Sequence, residues 1–171
     1  MEPFRLDDGL MTRFFHAASQ RLAGLNPLLF IYLTWLATYV VLLPLILLDN
    51  VVVSDALHQS SGPTNLPRFN MGERLWVGAV ITPVVETALF QWLPIRIVRT
   101  WLKLPVWVAV LVSATLFGFG HTYSIGYVVY TFMIGLVLAY AFTLKDYRQG
   151  QAYMLICIVH AIRNTVSSLL M

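Results

Sequence analysis

Apolar residues run almost unbroken along most of the chain, and the few polar interruptions cut it into pieces of membrane-spanning length. The first piece, PLLFIYLTWLATYVVLLPLILL at 27–48, is long enough to cross a hydrocarbon core of ~30 Å. Pro44 is expected to bend its far end. Residues 49–73 hold Asp49, Asp55, Gly62, Pro63, Pro67 and Gly72 and read as an extramembrane loop. A second span follows at about 74–97. From Leu104 to Leu144 the chain stays apolar for roughly twice one crossing. GHTYSIG, 120–126, supplies the turn, giving a third span at about 104–121 and a fourth at about 125–144. KDYRQG, 145–150, reads as a tight charged loop, and 151–170 as the fifth span.

Before the first span, LMTRFFHAASQRLAG at 10–24 puts Phe14, Phe15, Ala18 and Leu22 roughly on one helical face, with Arg13 and Arg21 elsewhere. That is the pattern of an amphipathic helix, either lying among lipid headgroups or packed on the cytoplasmic end of the bundle. The expected fold is therefore all-α, a polytopic membrane bundle of about five transmembrane helices with an N-terminal amphipathic helix. Residues 1–26 form the amphipathic segment and 27–171 a single membrane domain, with its functional core at about 74–171.

Composition sharpens the assignment. Of 171 residues, 58% are hydrophobic and 11% charged, where soluble domains carry ~25% charge. Such a chain is an integral membrane protein. The net charge is +3, but basic residues scattered between apolar runs form no nucleic-acid surface and act as topology signals. With the N-terminus inside, the inner segments hold Arg5, Arg13, Arg21, Arg96, Arg99, Lys103, Lys145 and Arg148, and the outer ones only Arg68 and Arg74. The expectation is a cytoplasmic N-terminus in the plasma (inner) membrane of a prokaryote. Cys157 is the single cysteine, so no intramolecular disulfide can form. The aromatic residues read as lipid-facing and interfacial.

The residues that carry chemistry are those that do not belong in lipid: Glu86, His121, His160 and Arg163, with Asn164 beside the last. A charged group at mid-span costs ~2.5–3.5 kcal/mol on insertion scales, so such groups must face the bundle interior and satisfy one another. His160 and Asn164 are four apart and share a helix face; so do Phe117 and His121, and Glu86 and Phe90. At ~1.5 Å per residue Glu86 lies about 17 Å from the outer start of its span and His160 about 14 Å from the inner start of its own, both near mid-membrane. His121, at the end of the third span, is expected closer to the outer side unless a re-entrant 120–126 segment brings it in. A carboxylate, an imidazole and an imidazole–amide pair in one interior resemble a hydrolytic site: a base for water, a partner that holds the water, and donors for an oxyanion.

These residues stand in three short motifs: ETALFQ (86–91), FGFGH (117–121) and HAIRN (160–164). In that order they resemble the motifs E-E-x-x-x-R, F-x-x-x-H and H-x-x-x-N of the CPBP family of intramembrane proteases, the group that includes the CAAX-prenyl endopeptidases. FMIGLVLAYAF, around Gly135, is similar to the family's glycine-containing span. The resemblance covers about 80–170. It implies Glu86 as general base, His121 as the residue that orients the attacking water, and His160 and Asn164 as stabilisers of the oxyanion. It further implies a membrane-anchored protein or peptide as substrate and chemistry that depends on glutamate without a metal cofactor. Two positions depart from the pattern: Thr87 stands where the family has its second glutamate, and Gln91 where it has arginine. Both are expected to hydrogen-bond next to the site, and Arg163 to supply the missing charge or to meet a substrate carboxylate.

Other assignments remain open on sequence. Glu86, His121 and His160 together would make a His₂Glu zinc set, although no H-E-x-x-H motif is present. The two departures also fit a catalytically silent relative acting as a membrane immunity or binding factor. A proton or ion pathway would require polar residues at many depths, and here they cluster at one level.

Overall fold

The computed structural model describes residues 10–52, 70–149 and 151–170, and every described element is helical. The segments are α1 (Leu10–Gly24), α2 (Pro27–Val40), α3 (Leu43–Val52), α4 (Met71–Trp101), α5 (Val106–Phe119), α6 (Ile125–Gln149) and α7 (Ala152–Leu170). Pro27–Leu47, α4, Ile125–Lys145 and Ala152–Leu169 are long and apolar enough to cross a membrane, and α5 is a shorter apolar helix. The chain is a helical integral membrane protein.

Local chemistry sets the helix ends. Asn26 accepts the Leu29 N–H at 2.9 Å ahead of Pro27, the favoured pairing of an amide cap with proline in the first turn. Two-residue irregularity at Val41–Leu42 separates α2 from α3, because Pro44 has no N–H to return to the preceding turn and its ring crowds that turn's carbonyl. The α4 helix begins earlier than the expected 74. Asn70 and Glu73 form a reciprocal capping box, with both backbone-to-side-chain bonds at 2.9 Å. Lys103, after α4, takes a left-handed φ of 54°. This is the backbone that lets the Leu104 N–H reach back to the Val98 carbonyl at 3.0 Å, satisfying one of the last carbonyls of α4.

The expected loop at 145–150 is corrected: α6 continues to Gln149. Charged residues tolerate a helix well and no glycine or proline intervenes before residue 150. Lys145 holds this end down by donating to the carbonyls of Ala23 and Leu25, at 3.2 and 2.8 Å. Ser19 Oγ and the Tyr140 hydroxyl lie 2.7 Å apart, so α1 packs against α6. The side chains of Phe14 and Phe15, and most of the 49–73 loop, fall outside the described residues.

The long helix α4 is not a uniform α-helix. Wider π turns occupy Val77–Ile81, Thr87–Trp92 and Ile97–Trp101. The first two lead into Pro83 and Pro94, where a wider turn makes room for the proline ring against the preceding carbonyls. Each proline also withholds a donor from the turn before it, and a neighbouring helix supplies one. Ser113 Oγ on α5 donates to the Phe90 carbonyl, and Asn164 Nδ2 on α7 donates to the Gly78 carbonyl at 2.8 Å. Ser113 is fully buried. Ser113→Ala is therefore expected to destabilise the protein by ~1–3 kcal/mol, the cost of an orphaned buried carbonyl, measurable as a lower thermal midpoint in detergent. An unchanged midpoint would mean the Phe90 carbonyl finds another donor.

The core lies where α5 and α6 cross, the most extensive pairing in the bundle. Small residues permit it: a Cβ on Gly135 would come within 3.1 Å of the Ala114 Cα, and one on Gly118 within 3.1 Å of the Val128 carbonyl. Close backbone approach through glycine is how membrane helices gain packing contacts without a hydrophobic driving force. Leu28, Leu47, Leu89, Leu116 and Met154 point outward toward lipid. Trp76, Trp101 and Trp107, all exposed near helix ends, are placed as membrane-interface anchors.

Candidate active site

Glu86 stands at the midpoint of α4 (Met71–Trp101), and two imidazoles flank its carboxylate. His121 Nε2 lies 3.5 Å from Oε1, and His160 Nε2 lies 3.4 Å from Oε2. The carboxylate is 19% exposed and the His160 side chain 4%. The centre is thus largely enclosed, with the carboxylate less so than His160. Among the described residues no group of three His, Cys, Asp or Glu side chains is arranged to hold a metal ion.

His121 arrives by a route its sequence position hides. The α5 helix, at 14 residues, is only ~21 Å long and stops short of a full crossing. The turn that follows, 120–124, therefore sits at the level of Glu86 rather than nearer the outer side. Its backbone is tied by His121 N–H to the Gly118 carbonyl at 3.0 Å and by Tyr123 N–H to the His121 carbonyl at 2.9 Å. Ser124 then caps α6 by accepting the Tyr127 N–H at 3.1 Å.

Phe117 organises both imidazoles. Its ring centroid is 4.7 Å from that of His121 and 5.6 Å from that of His160, and it meets Phe90 edge-on at 5.8 Å. Its carbonyl lies 2.7 Å from His121 Nδ1. A carbonyl only accepts, so Nδ1 carries the hydrogen, and in the neutral ring Nε2 presents its lone pair toward Glu86. A lone pair and a carboxylate oxygen facing each other favour a shared proton or a water that donates to both.

On the other side α7 runs antiparallel to α4 and is fastened along its length. Besides the Asn164 contact, the Tyr153 hydroxyl donates to the Val84 carbonyl at 2.8 Å, and Cys157 Sγ lies 3.7 Å from the Pro83 carbonyl. The Asn164 amide, expected next to the reacting atoms, spends one N–H on Gly78 and is held rigid by it. Thr87 and Gln91 are both fully buried. Neither amide atom of Gln91 has a hydrogen-bond partner, so among the described residues Gln91 holds no side chain in place. Arg163 does not pair with Glu86. Its guanidinium carbon sits 5.1 Å over the ring of Tyr39 on α2.

Tyr39 and Tyr127 are site neighbours the motifs do not include. The Tyr127 ring lies 5.9 Å from that of His121, within electrostatic reach of Glu86 and Arg163. The sequence signal for either was a phenol inside an apolar run, and with Tyr at eight positions that signal singles out neither.

Fold and site together define a polytopic helical membrane protein built around a partly buried carboxylate between two imidazoles. The sequence pattern of the type II CAAX prenyl endopeptidase Rce1-like family matches residues 73–166, more than half of the chain, and the chain belongs to that family. It is a family of proteases, and the match spans α4 to α7, the helices that carry Glu86, His121 and His160. No curated protein and no solved structure matches the chain.

Proposed function

We propose that this protein is an intramembrane endopeptidase of the CPBP type that cleaves a membrane-anchored protein or peptide with water activated by Glu86. The observation that carries the proposal is the carboxylate held 3.5 and 3.4 Å from the two Nε2 atoms. Water enters between Glu86 and His121; Nε2 of His121 accepts one hydrogen and orients the oxygen lone pair. Glu86 takes the other proton as the oxygen attacks the peptide carbonyl. The oxyanion is met by the His160 Nε2–H and by the second N–H of the Asn164 amide, whose first is fixed on Gly78. Collapse breaks the C–N bond, and Glu86 returns its proton to the leaving amine, giving a carboxylic acid and an amine. The dry surroundings strengthen each of these electrostatic contacts. The basic residues on the inner segments support a cytoplasmic N-terminus in a prokaryotic plasma membrane.

Thr87 and Gln91, buried where the family has glutamate and arginine, favour one other function: a silent relative that binds membrane proteins without cutting them. Membrane-protein termini compared between wild type, Glu86→Ala and His160→Ala separate the two. The peptidase predicts termini present in wild type and missing from both variants; identical termini in all three would establish the silent relative. Cleavage that a chelator abolishes and zinc restores would replace the glutamate mechanism with a His₂Glu metal site.

A further inference from the structure

Arg163 is a cation inside the bundle that no carboxylate among the described residues neutralises. It lies midway along α7, three residues after His160 and one before Asn164. Among the described residues Glu86 is the carboxylate at this level, and it faces the two imidazoles. The Nε of Arg163 is enclosed with no hydrogen-bond partner, while the side chain as a whole is only partly buried. The guanidinium rests on Tyr39, and attraction to an aromatic face compensates only part of the desolvation of a cation. Among the described residues the Nε–H thus has no acceptor, and the planar donor fork of arginine matches a carboxylate.

Two features narrow the source of that acceptor. Three residues along α7 amount to ~4.5 Å, so Arg163 stands within one helical turn of His160, which faces Glu86, and inside the candidate span Ala152–Leu169. The same distance equals one or two residues of extended peptide. Tyr127, a half-buried phenol on α6 beside His121, offers a further donor on the site side.

We propose that Arg163, seated on Tyr39 and assisted by Tyr127, is the subsite for a carboxylate of the substrate, lying one or two residues from the bond that is cut. The assignment rests on the endopeptidase function for what is cut, but binding needs no turnover and is tested without it. In Glu86→Gln protein reconstituted in phosphatidylcholine nanodiscs, the probes are three N-myristoylated octapeptides of Ala and Leu. One ends in a free acid, one in an amide, and one in an amide with Glu at the penultimate position. The free acid or the Glu peptide is expected to bind about tenfold or more tightly than the plain amide, and which of them does so identifies the terminal or the side-chain carboxylate. Arg163→Gln should erase the preference and Arg163→Lys keep part of it. If Arg163→Gln does not fold, Tyr39→Leu should weaken the preference by unseating the guanidinium. Equal affinity for all three peptides, no binding of any, or a preference that survives Arg163→Gln overturns the proposal. So does a preference lost when phosphatidylglycerol replaces phosphatidylcholine, once affinities are corrected for each peptide's partitioning into protein-free nanodiscs of the same lipid, which would place the anionic lipid on Arg163. Acid-selective binding by a wild type that cuts nothing would instead remove the peptidase function and leave the subsite standing.

Discussion

Glu86→Gln is expected to lower kcat by about 10²–10⁴-fold, the usual worth of a positioned general base, with KM nearly unchanged. The amide keeps the size of the carboxylate and an oxygen facing His160 Nε2, so packing around Phe117 and substrate binding should survive. What it loses is the ability to take a proton from water. The same change should raise stability. An ionisable group at this depth carries an insertion cost of ~2.5–3.5 kcal/mol, and a neutral amide avoids much of it. A loss of turnover joined to a gain in thermal midpoint is the signature of a residue kept for chemistry at the expense of the fold. Single-turnover cleavage in reconstituted membranes, with thermal unfolding of the same samples, measures both. A variant that cuts within tenfold of wild type would show that Glu86 is not the base. Glu86→Asp tests the geometry separately: withdrawing the carboxylate by ~1.5 Å breaks contacts that already stand at 3.4 and 3.5 Å, and activity should fall although the charge remains.

The juxtaposition of Glu86, His121 and His160 was legible in the sequence because lipid leaves few places for ionisable groups. Three of them on three apolar helices have one interior to share. The depth of His121 was not legible: GHTYSIG marked where α5 ends, but not that its 14 residues fall short of a full crossing and leave that turn beside Glu86. Nor was the π character of α4. Pro83 and Pro94 mark where a helix must adapt, but whether it kinks or widens is decided by donors on other helices, Asn164 and Ser113. Arg163 shows the same limit. Its spacing put it inside the HAIRN motif, whereas its resting place on Tyr39 depends on α2, which lies outside the residues the family pattern covers.

Gly135→Leu is expected to be the most damaging change away from the reacting atoms, although residue 135 touches none of them. A Cβ there would lie 3.1 Å from the Ala114 Cα and 3.2 Å from both Cβ and Cδ1 of Phe117. One of those neighbours is backbone, so the strain cannot be relieved by turning a side chain. The two helices must separate, at ~3 kcal/mol for overpacking of this kind. The displacement also falls on Phe117, whose ring supports both imidazoles and whose carbonyl holds His121 Nδ1 at 2.7 Å. Sub-ångström errors in such a constellation cost catalysis steeply, ~10²-fold for a misplacement of 1 Å, so the protein that still folds should turn over poorly. Gly78→Ala is the matched control. Its Cβ would meet only Ser168 Oγ at 3.9 Å, an ordinary contact, and stability should stay level or rise by ~0.5–1 kcal/mol. Thermal unfolding together with kcat for the two variants checks the pair. If Gly135→Leu melted and cut like wild type, the α5–α6 crossing would not be what holds His121 against Glu86.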